Sequence, residues 1–309
     1  MSTTDAAIEK VATGAAGIRT VEPTAPRTRW LRRLLRNRSV VVGASVFLVF
    51  LLSAIFADQW ATHNPTRLHP AERLKPPRAQ NLLGTDEFGR DVYSLVVHGS
   101  RVSLLVGGVT MLITSVGGTL IGLIAGYYRR LDLVVMRFMD GLMAFPAIIL
   151  AIAFMAARGP GVWNVILALS LVYMPRTALL VRSTVLSLRE LDYVAAARAL
   201  GRRDLAIAVR HILPNCLAPL LVQGTFIFAY AVLAESILGF LGVGVPPYVP
   251  SWGNVIASGK NVIREAFWVS LFPGITLTIA GLSLNLLGDG LRDTLDPRLR
   301  GSVGTGTGR

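Results

Sequence analysis

The chain has 309 residues, 52% of them hydrophobic and only 16% charged, with a formal net charge of +13. That balance, a mean hydropathy of +0.55 and apolar residues gathered in unbroken blocks together exclude an ordinary soluble domain. The basic excess does not indicate nucleic acid either, because it sits in segments flanking the apolar blocks.

In chain order, residues 1–26 are small, polar and proline-containing, and read as a disordered tail. Residues 27–39 read as a basic interfacial helix, with Trp30, Leu31, Leu34 and Leu35 set among arginines and suited to a leaflet surface. A hydrocarbon core about 30 Å thick takes roughly 20 residues of helix. Six blocks approach that length: residues 40–57, Val102 to Tyr128, Leu133 to Ala157, Trp163 to Val181, Leu217 to Phe240, and Val269 to Gly288. In lipid each must be helical, because only a helix pairs its own backbone within one segment. The fold class is therefore all-α, a polytopic membrane protein with about six transmembrane helices. Residues 102–288 form its core, including a polar cytoplasmic loop at 183–215.

Eight basic residues against three acids precede the first span, while the loop at 58–101 is nearly balanced in charge. The positive-inside rule then places the N-terminus in the cytoplasm and the 58–101 loop outside. An even number of spans returns the tail at 289–309, with Arg292, Arg298 and Arg300, to the cytoplasm. The first apolar run is long enough to span, so it is expected to stay as an anchor rather than be cleaved.

Little in the sequence suggests catalysis or a cofactor. Around Gly259 and Lys260, the nearest approach to a phosphate loop, Asn254 stands at the leading glycine position and Asn261 at the hydroxyl position, so the chain is expected to bind no ATP itself. His63, His69, His98 and His211 lack metal-ligand spacing, and the single cysteine, Cys216, can form no internal disulfide. No metal site and no catalytic residue is expected. Two intramembrane charges are candidates for the transport pathway: Glu235 near the end of the fifth span and Arg176 in the fourth. For Glu235 a structural hydrogen bond to a neighbouring helix is the alternative.

The segment from Leu188 to Pro214 is the most informative. Ala195, Ala196, Ala197, Ala199 and Gly201 leave a low-relief surface, Leu191, Val194, Leu200 and Leu205 add apolar contacts, and Arg198, Arg202, Arg203 and Arg210 supply charge. Tyr193 to Gly201, followed by Arg210-His211-Ile212-Leu213-Pro214, resembles the coupling loop of bacterial ABC-importer permeases. Three further stretches are similar to the second permease subunit of the dipeptide and oligopeptide importers. They are Gly84-Thr85-Asp86 with Gly89-Arg90-Asp91, continuing to Gly99–Leu104; Gly244–Pro247 with Pro250–Asn254; and Asn285–Arg298. One departure is Ala195, which stands where the family usually carries a glutamate.

The resemblance implies a type I ABC-importer permease fold in the inner cell membrane. Its implied partners are a homologous second permease, cytoplasmic ATPase subunits that hold ATP and magnesium, an extracytoplasmic substrate-binding protein and the lipid bilayer. It further implies that Leu191, Tyr193, Ala196, Ala197, Arg198, Leu200, Gly201, Arg210, His211 and Pro214 serve coupling to the ATPase, with Gly201 and Pro214 breaking the helix at the ends of a lever. Substrates in this family include dipeptides, longer peptides, nickel complexes and other small solutes. An ion-coupled carrier acting alone would need more intramembrane charge than this sequence has.

Overall fold

A computed structural model describes residues 34–295. The tail at 1–26, most of the interfacial segment at 27–39 and the end of the chain from residue 296 lie outside the described residues. Among those described there is no β-strand. Five helices are long and apolar enough to cross a membrane: α1 (Arg38–Ile55), α2 (Val92–Tyr127), α5 (Val162–Leu188), α7 (Asp204–Phe240) and α9 (Trp268–Leu295). A sixth crossing is available from a bent pair, α3 (Arg129–Met143) and α4 (Ala147–Arg158). Among the shorter helices are α6 (Asp192–Ala199) between α5 and α7, and α8 (Trp252–Ser258) between α7 and α9.

The third span, expected over Leu133 to Ala157, is broken in two, with α3 and α4 meeting at 91°. Pro146 explains the break. Its ring disfavours helical geometry at Phe145, and it starts α4 with an extended ψ of 129°. The second span also differs from expectation, starting ten residues before Val102. Asp91 caps it by accepting from the Ser94 backbone N–H, and the polar residues of its first turns find partners. Arg101, for example, donates to the Ala54 carbonyl and to both oxygens of Asp58.

The core is organised around α2 and α5. Gly118, Gly122 and Gly126 form a stripe along α2, where a Cβ would fall 2.5 Å from Thr177, 2.4 Å from the Ala178 carbonyl oxygen and 2.7 Å from Val185. Only glycine admits this approach, and in lipid such close packing is what holds helices together. α9 lies against α1 and α7, and the Asn37 side chain donates to the Gly290 carbonyl, so α1 begins where α9 ends. At the opposite end of the bundle the Gly161 N–H donates to Gly244 O. The ends thus separate into a loop end, carrying residues 58–91 and 241–267, and a connector end, carrying residues 189–203.

Candidate functional site

The connector is shorter than the loop expected at 183–215. α5 continues to Leu188, α7 starts at Asp204, and fifteen residues join them. Asp192 lies in the first turn of α6 and Arg198 in its last, each matched to the helix dipole. The helix stops at Gly201, whose φ of +71° is left-handed. There the Gly201 N–H donates to Arg198 O and the Arg202 N–H to Ala197 O, which closes the final turn. A Cβ on Gly201 would meet nothing within 4 Å, so backbone conformation rather than crowding calls for glycine.

The connector has two unlike faces. Val194, Ala197, Ile207, Ala208, Ile212 and Cys216 are buried in one cluster with Leu123, Val181, Val185 and Leu220. Outside lipid each large apolar side chain buried this way contributes about 1.5–3 kcal/mol. On the other face Leu200 is 83% exposed and Leu205 69%, with Leu191, Tyr193 and Val209 also exposed. Ala195, Ala196, Ala199, Arg198 and Arg210 share that exposure. Ala197 differs from its neighbours by turning inward.

Polar contacts fix the connector to the bundle. The Tyr127 hydroxyl donates to Asp204 Oδ1 at 2.6 Å, and Arg189 Nη1 donates to Gly126 O at 3.1 Å. Asn215 Nδ2 donates to His211 O at 2.8 Å, and the Tyr193 hydroxyl stands 3.5 Å from that oxygen. The Tyr127–Asp204 and Arg189–Gly126 ties were missed in the sequence, since residues 77 and 63 positions apart show no spacing signal.

Pro214 does not break the helix, contrary to expectation. Residues Ala208–Ile212 widen into a π turn, with the Leu213 N–H bonding Ala208 O, and α7 runs on through the proline. A π turn absorbs the hydrogen bond that a proline cannot donate.

The motif at the loop end is a folded scaffold. Asp86, fully buried, accepts from the backbone N–H groups of Phe88 and Arg90 and from Arg90 Nε at 2.7 Å. Asp91 accepts from Ser94, Asn81 Nδ2 and Thr62 Oγ1. Thr85 Oγ1 accepts from the Lys75 N–H, and its carbonyl accepts from Trp268 Nε1. Gly84 and Gly89 supply left-handed turns at φ +77° and +73°. Asn254 ties down residues 244–250 by donating to the carbonyls of Val245, Pro246 and Val249.

The two intramembrane charges separate sharply. Glu235 is 0% exposed and sits inside the subunit rather than on a surface. Ser103 Oγ donates to its Oε2 at 2.9 Å and also accepts from the Trp252 N–H, so the carboxyl group joins α7 to α2 and α8. Arg176 is exposed midway along α5 and faces the seam with α7.

Comparison with known proteins agrees with this architecture. Residues 118–301 match the family described as binding-protein-dependent transport system inner membrane component. Residues 26–77 match the N-terminal TM domain of oligopeptide transport permease C. A putative peptide transport system permease protein of Brucella abortus is 51% identical over 269 residues, covering 87% of this chain and 91% of the relative. The dipeptide transport system permease protein DppC of Alkalihalophilus pseudofirmus is 42% identical over 270 residues, covering 87% and 89%. The di/tripeptide transport system permease protein DppC of Pseudomonas aeruginosa is 39% identical, covering 90% and 94%. Among solved structures, an inward-facing MetNI methionine ABC transporter chain aligns with a TM-score of 0.53 at 21% identity, covering 65% of this chain and 96% of that one, a likeness of fold. The chain therefore belongs to the binding-protein-dependent transport system inner membrane components, as a multi-pass permease subunit of an ABC importer.

Proposed function

We propose that this subunit forms one half of a peptide-importing pore, paired with a homologous permease and powered by separate ATPases that dock on α6. An extracytoplasmic binding protein delivers di- or oligopeptides to the loop end, and both termini lie in the cytoplasm. The chain holds no nucleotide; ATP and magnesium belong to the ATPases. The observation that carries this reading is the connector's exposed apolar face, Leu191, Tyr193, Leu200 and Leu205, mounted on a buried base. Exposed apolar side chains around a rigid helix mark a protein contact.

ATPase closure displaces α6, and the ties Tyr193–His211, Arg189–Gly126 and Tyr127–Asp204 link α6, the end of α5, α2 and α7 so that the displacement reaches them together. Access to the pathway switches as these helices tilt. The three peptide-permease relatives at 39–51% identity support the substrate class.

Cysteine crosslinking tests the reading. In an otherwise cysteine-free chain, Leu200→Cys is expected to crosslink to an ATPase subunit and to react with a thiol reagent only from the cytoplasmic side. Labelling from the exterior, or no ATPase adduct in a transport-active complex, overturns it.

A further inference from the structure

Three charged side chains lie in α5 and α7 between Val162 and Leu188 and between Leu213 and Phe240. Arg182 is paired with Asp132, and Glu235 is enclosed against Ser103. Arg176 has no carboxylate partner among the described residues, and its side chain is exposed. It stands fourteen residues from one end of α5 and twelve from the other, roughly 20 Å of helix each way. Hydrocarbon strongly disfavours an unpaired guanidinium inside a span, which favours a face turned away from lipid for Arg176.

That face bears an open groove. A cavity of about 640 Å³ opens between α5 and α7, lined by Arg176, Leu179, Ser183, Gln223, Phe226 and Tyr230. A second cavity of about 710 Å³ shares Leu180, Gln223 and Phe226 with it and continues past Asn215 to Arg292 at the connector end. The two make one track, with a cation at mid-depth, amide and hydroxyl groups beside it and a few apolar side chains between.

We propose that Arg176 is the α-carboxylate subsite of the translocation pathway, through which a peptide passes on its way to the connector end. The planar guanidinium pairs a carboxylate through two parallel hydrogen bonds. Gln223, Tyr230 and Ser183 offer donors and acceptors to peptide amides, while Phe226 and Leu179 contact side chains without selecting among them. The carboxylate is present on every linear peptide, so the subsite recognises the class rather than the sequence. This inference rests on the peptide-importer reading.

The test uses the complete transporter in proteoliposomes, with both permeases, the ATPases and the binding protein, and labelled alanine peptides of two to five residues. Arg176→Gln is expected to lower uptake at least tenfold, while ATP hydrolysis stimulated by the loaded binding protein stays within twofold of the unmodified complex. Arg176→Lys, which keeps the charge, is expected to stay within threefold of the unmodified uptake. Uptake by Arg176→Gln within twofold of the unmodified complex overturns the subsite. So does loss of the second permease from purified Arg176→Gln complex, since Arg176 would then hold an interface. An unmodified complex that imports none of these peptides overturns the peptide reading, and the subsite with it.

Discussion

The two ends of the bundle solve opposite problems. At the loop end, acids and amides are buried and pair internally: Asp86 with Arg90 and two backbone donors, Asp91 with Ser94, Asn81 and Thr62. At the connector end, polar ties are few, a π turn interrupts the helix, and Leu200 and Leu205 stand in solvent. A surface that completes its own hydrogen bonds is stable alone, whereas one that leaves apolar side chains uncovered is finished by another protein. The loop end is built to hold a shape, and on the proposed function the connector end is the one that is pushed.

The largest expected effect comes from breaking the unfinished side of that contrast. Leu200→Asp with Leu205→Asp is expected to weaken ATPase association by about 4 kcal/mol, on the order of a thousandfold, as two central apolar contacts are lost. Co-purification of the ATPase reads the loss, while digestion of the loop end by external protease should be unchanged. A smaller effect is expected from the finished side. Asp86→Ala leaves Arg90 and two backbone N–H groups without their partner, a loss of about 3 kcal/mol. External protease should then cut within residues 69–90 sooner, with ATPase association intact. Equal damage to both readouts by either change would erase the distinction between the ends.

The smallest effect concerns pH. The Arg101 guanidinium, with His98 beside it, holds the Asp58 carboxyl below its ordinary value. A carboxylate lowered in the folded state stabilises above its unfolded pKa of about 3.9, and that contribution is lost as pH falls through the lower folded value. Asp58 is well exposed, so solvent screening keeps the contribution small. Protease sensitivity near residues 54–62 should rise modestly below about pH 4, and Asp58→Asn should remove the dependence.

Much of this architecture is legible in residue order. The apolar blocks locate α1 to within two residues and one end each of α5, α7 and α9 to within one, since in lipid an apolar block has no alternative to a helix. At their other ends α5 and α9 run seven residues further and α7 starts thirteen residues earlier. The early start of α2 is not legible, because Ser94, His98 and Arg101 look like loop residues until Asp91, Asp58 and Ala54 are seen to pair with them. The size of the bend at Phe145 and Pro146 escapes for another reason, as hydropathy sums over a segment without registering its direction. Around the connector, the exposed Leu200 and the left-handed Gly201 follow from local pattern. The inward turn of Ala197 and the Tyr127–Asp204 tie depend on a helix 70 residues away. Burial of Glu235 is hidden likewise, since its partner Ser103 lies 132 positions earlier.

The glycine stripe at positions 118, 122 and 126 has a mechanical consequence. With Gly122 so near the Ala178 carbonyl that a single methyl cannot fit, α2 and α5 cannot slide along each other without collision. They form one stiff strut. α2 alone has 36 residues, about 54 Å of helix, from the Asp91 cap to the Tyr127 hydroxyl. On the proposed function, a nudge at Tyr127 is delivered along α2 to the base of the folded loop at the far membrane face, so a single rod reports events on either side of the bilayer to the other.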